Sequence, residues 1–147
     1  MEIREYHTCQ GRILVVDQDD WCREFLTQVL KLIGFEDFRL ATTVEEALAS
    51  LQESTYDLVI TDFKLPDFNL LVENLRQRFP ATRFILMVHQ RNQTRQITYV
   101  ENMEIVIKPL SLDEMARKIR EAIHQKHRSQ LEEEMRRLKT EVFRLLT

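Results

Sequence analysis

Short apolar runs flanked by charge alternate along this chain with stretches whose apolar residues recur every three or four positions. The runs Ile13 to Val16, Leu58 to Ile60, Phe84 to Val88 and Ile105 to Ile107 are too short for helices, and their unbroken apolar character predicts strands buried on both faces. A weaker run, Phe38 to Ala41, predicts a fifth strand. Phe25, Leu26, Val29, Leu30 and Ile33 have helical spacing, and Gly34 closes that helix. Thr43 and Glu46 form a capping box that opens a second helix, with Val44, Ala47, Leu48 and Leu51 facing inward. A third, through Leu71, Val72, Leu75 and Phe79, stops before Pro80. The segment from His89 to Asn102 is polar, with only Ile97, Tyr99 and Val100 to bury, and predicts a short or loose fourth helix. Ser111 and Glu114 form another capping box, and no Gly or Pro interrupts the helix it opens.

Strand and helix in alternation define an α/β class. They predict a five-stranded parallel sheet, doubly wound with right-handed crossovers and carrying an extended C-terminal helix. The chain's 147 residues suit one domain, residues 11-125, followed by a helical extension over 126-147. A 44% hydrophobic content with two glycines and three prolines excludes collagen-like and disordered classes. Two glycines also cannot supply the phosphate loops of a nucleotide binder. Cys9 and Cys22 make no CxxC pair and no disulfide framework, which predicts a reducing, cytoplasmic setting. Twenty-one Lys+Arg against 24 Asp+Glu give a net charge of −3, so the whole molecule is not drawn to nucleic acid or to an acidic membrane. No apolar run approaches the roughly 20 residues of a membrane helix, and MEIREYHTCQGR has no apolar export core.

The chemistry lies at the strand ends. ILVVD places Asp17 at the carboxyl edge of strand one, with Gln18, Asp19 and Asp20 after it. DLVITD places Asp62 at the same edge, and IVIKP places Lys108 there. In a sheet of this kind ligands bind beyond the carboxyl ends of the strands. Carboxylates gathered there suit a hard cation such as Mg²⁺. A carboxylate beside a cation can also attack phosphorus to form an aspartyl-phosphate, with the lysine offsetting charge on the transferred group. Taken singly, each residue is also what a solvated loop carries. The recurrence at three strand ends is the more specific signal.

These segments, ILVVDQDD with Arg23 after it, YDLVITDFKLPDF and VIKPL, resemble the receiver domains of bacterial two-component response regulators, over about residues 11 to 125. The resemblance implies the flavodoxin-like receiver fold and phosphoryl transfer from a histidine kinase or phosphotransfer protein. It makes Asp62 the phosphoacceptor, Lys108 the phosphoryl contact, and Asp17, Asp62 and the Lys64 backbone carbonyl the Mg²⁺ ligands. The chain departs from the family in several places. Gln18 replaces the second acid of the metal-binding pair, leaving a neutral amide as donor, so Mg²⁺ binding should be weak or absent. Counting from Pro80 puts Val88, which has no hydroxyl, at the switch Ser/Thr position. Ile105 stands where an aromatic is usual. Asn69 is followed by Leu70 instead of Gly, and the loop before helix three is about two residues short. Two forms of receiver follow: one phosphorylated on Asp62, and a pseudo-receiver that uses the fold only to bind a protein. A third reading takes Asp17-Gln18-Asp19 as the DxD opening of a haloacid-dehalogenase-like phosphatase, but Trp21 departs from that motif and no later acidic pair completes it.

Beyond Leu112, Met115, Ile119, Ala122 and Ile123, which suit packing on the sheet, the last helix changes register. Leu131, Met135, Leu138, Val142 and Leu145 follow a spacing of 4, 3, 4 and 3, a coiled-coil seam with Leu at each d position. It predicts a homodimer or coupling to an output domain. Glu134 at g faces Lys139 at e of a parallel partner, and Glu132-Arg136 and Glu133-Arg137 are spaced for support within one helix. The basic residues here are balanced by acids, so no direct nucleic-acid binding is expected. His7, His89, His124 and His127 share no metal-ligand spacing and are left without a role.

Overall fold

Each apolar run predicted as a strand is one in the computed structural model, which describes residues 11–96 and 102–147. The elements are β1 (Ile13–Val16), α1 (Asp20–Leu32), β2 (Phe38–Ala41), α2 (Val44–Glu53), β3 (Leu58–Asp62), α3 (Phe68–Arg78), β4 (Arg83–Val88), a 3₁₀ helix (Arg91–Gln96), β5 (Met103–Ile107) and α4 (Leu112–Leu146). All pairings are parallel and the strand order is β2-β1-β3-β4-β5. From β1 the chain winds outward to β2, then returns to β3 and proceeds the other way. The order therefore reverses between β1 and β3, where a doubly wound sheet opens a crevice.

Successive residues of a strand point to opposite faces, and each face has its own core. Ile13, Val15, Leu58, Ile60, Ile85, Met87 and Val106 meet Leu26, Val29 and Leu30 of α1 and Met115, Ile119 and Ile123 of α4. On the other face Leu14, Val16, Val59, Phe84, Leu86 and Val88 meet Val44, Ala47 and Leu51 of α2 and Phe68, Leu71 and Leu75 of α3. Leu14, Leu26, Ile60 and Leu86 are each 0% exposed, and burying each contributes about 1.5–3 kcal/mol. β1, β3 and β4 are buried on both faces as predicted, but β5 is not. It is an outer strand, with Glu104 exposed and Ile105 and Ile107 only half-buried. Three apolar letters cannot distinguish a central strand from an edge.

The caps follow the local chemistry. Thr43 Oγ1 accepts from Glu46 N–H at 3.1 Å, and Glu46 Oε1 accepts from Thr42 N–H at 2.7 Å. Ser111 Oγ accepts from Glu114 N–H at 3.3 Å. At the end of α1, Gly34 at φ 98° gives its N–H to Lys31 O, and Phe35 gives its own to Leu30 O. That pair of bonds is the Schellman closure a left-handed glycine allows. The third helix begins earlier than its apolar spacing suggested, at Phe68, because Asp67 takes a left-handed turn at φ 64°. The polar fourth segment contributes the 3₁₀ helix, while Ile97, Tyr99 and Val100 lie outside the described residues, as do His7 and Cys9.

α4 runs unbroken over 35 residues. Lys126 is its last buried residue, and its Nζ donates to Asp57 Oδ1 at 2.8 Å. Asp57 also accepts from Arg12 N–H at 2.8 Å, tying the helix to the start of the sheet. Beyond Arg128 every residue is exposed. The intrahelical pairs there differ from those the spacing suggested. Arg136 binds Glu133 at 2.6 Å and Arg137 binds Glu134 at 2.8 Å, both i,i+3 and exposed, so they add little to stability.

Candidate functional site

The carboxyl ends of β1, β3 and β5 bring Asp17, Asp62 and Lys108 together. Lys108 Nζ donates to Asp17 Oδ2 at 2.8 Å and stands 3.2 Å from Asp62 Oδ1. Asp17 is 1% exposed and Asp62 4%. Backbone bonds set the three strand ends. Asp17 N–H donates to Ala41 O at 3.0 Å, Phe63 N–H to Met87 O at 2.8 Å, and Lys108 N–H to Val88 O at 2.7 Å. The Lys108-Pro109 peptide is cis.

Burial pushes the Asp17 carboxyl up, but hydrogen bonds from Lys108 and from Asp19 N–H outweigh it and hold it below the ordinary carboxylate value. Burial lowers the Lys108 ammonium, and its bond to Asp17 together with the charge of Asp62 raises it above the ordinary value. Each group thus keeps the other ionised. Next to Asp17, the Cys22 thiol is pushed up to about 12, first by burial and then by the carboxylate beside it. It is an unreactive core group.

The remaining residues of the β1 loop do other work. Asp19 Oδ1 accepts from Trp21 N–H at 3.1 Å and caps α1. Asp20 is exposed and paired with Arg23, whose other nitrogen donates to Asp17 O at 2.6 Å. Gln18 is exposed. Neither nearby acid therefore replaces the carboxylate that Gln18 lacks. Because the Asp19 carboxylate serves the helix start, the DxD reading has no second acid aimed at the site. Trp21 stacks on Phe25 at 5.6 Å but is 66% exposed. Lys64 lies in the turn after β3, two residues past Asp62, with its side chain exposed.

His89 is the residue that sequence reasoning missed. Its Nε2 lies 3.0 Å from Asp62 Oδ1, and since a carboxylate oxygen only accepts, the imidazole N–H donates. Val88, where counting from Pro80 placed the switch residue, points the other way into the core under α2 and α3. Alternation along β4 could have found this. Phe84, Leu86 and Val88 share one face, and the strand ends at Val88, so His89 is the first β4-derived side chain free to turn over the carboxyl edge.

Two carboxylates already bridged by one ammonium form a sparse donor set for a divalent ion. Among the described residues no cluster of three or more acidic, His or Cys side chains could hold a metal. Mg²⁺ keeps several waters and takes one or two carboxylates, so Asp17 and Asp62 are the residues that would hold it here.

A doubly wound parallel sheet with two acids and a lysine at its switch point is the architecture of a signalling receiver. Residues 13–120 match the family model of the response regulator receiver domain, and the chain belongs to that family. No curated protein sequence matches it. Among solved structures it is similar to the signal receiver domain of an HD domain-containing protein from Pseudomonas fluorescens Pf-5, at 26% identity and a TM-score of 0.74, covering 84% of this chain and 93% of that one. It is also similar to the response regulator TrrA from Thermotoga maritima in complex with Mg²⁺-BeF, at 28% identity and a TM-score of 0.69, covering 77% of this chain and 99% of that one. Receiver domains are signalling modules that use Mg²⁺ and interact with histidine kinases or phosphotransfer proteins. None of the helices among the described residues is long and apolar enough to cross a membrane.

Proposed function

We propose that this receiver accepts a phosphoryl group on Asp62 from a histidine kinase or phosphotransfer protein in the cytoplasm, and that its C-terminal helix carries the response by pairing with a second copy. The observation that carries the reading is the meeting of Asp17, Asp62 and Lys108 from three distant segments, with Lys108 Nζ within 3.2 Å of both acids. An Asp62 oxygen attacks phosphorus, the donor's bond to phosphorus breaks, and the donor imidazole leaves and takes up a proton. Lys108 offsets negative charge on the transferred group. Mg²⁺ binding is weak, because Gln18 stands exposed where an acid would serve and Asp19 caps α1. The chain has no turnover with free metabolites.

Dimerisation is supported by the exposed seam of Leu131, Met135, Leu138, Val142 and Leu145, which are 49–79% exposed. In a parallel pair, Glu134 of one helix faces Lys139 of the other. The pseudo-receiver is the second reading. It is favoured by the same loop and by the imidazole that stands against Asp62.

Intact-mass measurement after incubation with a small phosphodonor and excess Mg²⁺ separates the two. A single added phosphoryl group, absent in Asp62→Asn, is expected. An unmodified wild type would favour the pseudo-receiver.

A further inference from the structure

We propose that the His89 side chain gates Asp62: the imidazole occupies the entrance that an incoming phosphoryl group must cross, and it has to swing outward before transfer. This rests on the reading of Asp62 as acceptor. The four side chains of the site form a depth series. The Asp17 and Asp62 side chains are 1% and 5% exposed and the Lys108 side chain 14%, while the His89 side chain is 35% exposed. The imidazole is thus the outermost member, and it touches the acceptor directly at 3.0 Å. That contact falls on Asp62 Oδ1, the oxygen Lys108 also approaches. One carboxylate oxygen therefore faces two donors, and the more exposed of the two is the ring.

The gate is held by its own loop. Gln93 of the 3₁₀ helix turns its side-chain oxygen back to accept from His89 N–H at 2.7 Å and from Gln90 N–H at 2.9 Å. This fork fixes the backbone as it leaves β4 and aims the imidazole over the sheet edge.

The test is the initial rate of phosphorylation of the full chain by a small phosphodonor such as phosphoramidate, read by intact mass. His89→Ala should phosphorylate about 2- to 10-fold faster than wild type, the equilibrium weight of one hydrogen bond. His89→Gln, which keeps a polar donor of similar reach, should stay near wild type. His89→Ala combined with Asp62→Asn should gain nothing. Equal or slower phosphorylation of His89→Ala would overturn the gate while leaving Asp62 as acceptor. Fast phosphorylation of His89→Gln would overturn it as well, since the ring's contact would then not be what slows entry. If neither wild type nor His89→Ala gains phosphate, the acceptor reading fails and the gate with it.

Discussion

Replacing Lys108 by Met keeps most of the side-chain volume and removes the one ammonium that bridges Asp17 and Asp62. The variant leaves two carboxylates, 1% and 4% exposed, close together without the cation that stands 2.8 and 3.2 Å from them. Breaking one partner from a buried ion pair costs about 3–5 kcal/mol. Because the Lys108 side chain keeps 14% exposure, the lower end of that range, about 3 kcal/mol, is expected at pH 7. The whole domain is worth about 5–15 kcal/mol, so the variant should remain folded. Urea unfolding followed by circular dichroism measures the loss, and Lys108→Met with Asp17→Asn should recover most of it, since one of the unpaired charges is gone.

The pH dependence follows from the same shifts. In the wild type the Asp17 carboxyl is held below its ordinary value. Its contribution is therefore present above the unfolded pKa of about 3.9 and lost as pH falls through the lower folded value. Lys108 is raised; its contribution is full below about 10.4 and lost as pH rises through the folded value. Without Lys108, the burial that pushes the Asp17 carboxyl up is opposed only by the hydrogen bonds from Asp19 N–H and Cys22. The stability deficit of Lys108→Met should then shrink as pH falls from 7, because protonation removes the unpaired charges. A deficit under about 1 kcal/mol at pH 7, the size of an exposed pair, would refute the reasoning.

Sedimentation of the full chain should show a dimer, and Leu131→Lys with Leu138→Lys should give a monomer with an unchanged melting temperature, because both leucines lie outside the buried core. A dimer that survives both substitutions would place the interface elsewhere. In a Cys9→Ser background, Cys22 should resist a thiol reagent at pH 8 until the chain unfolds, its thiol being 2% exposed and pushed up to about 12. Rapid labelling of the folded chain would contradict that placement.

Much of the architecture was legible in the sequence because the strands of a parallel sheet are buried and read as plain apolar runs. Thr43, Ser111 and Gly34 announced their helix ends through chemistry that acts over three or four residues. Asp17, Asp62 and Lys108 were legible for a different reason: each directly follows or ends a strand, so predicting the strands also placed the side chains on one edge. What escaped was whatever depends on orientation at the end of a strand or on position in the sheet. His89 carried no motif, and its contact with Asp62 depends on how the chain turns at the end of β4. β5 looked like a central strand because its letters do not report that it lies outermost. Arg136 and Arg137 of α4 took i,i+3 partners in place of i,i+4 ones, a choice between neighbours of similar worth that spacing does not decide.

If the proposed function holds, Asp62, and not an acid of the β1 loop, is the group that takes phosphorus. Phosphodonor-treated protein, reduced with borohydride to convert an acyl phosphate to the alcohol and then digested, locates the modified residue by peptide mass. Homoserine in place of Asp62, with Asp17, Asp19 and Asp20 unmodified, is expected. Homoserine at position 17 with Asp62 intact would contradict it and make the first strand's acid the nucleophile.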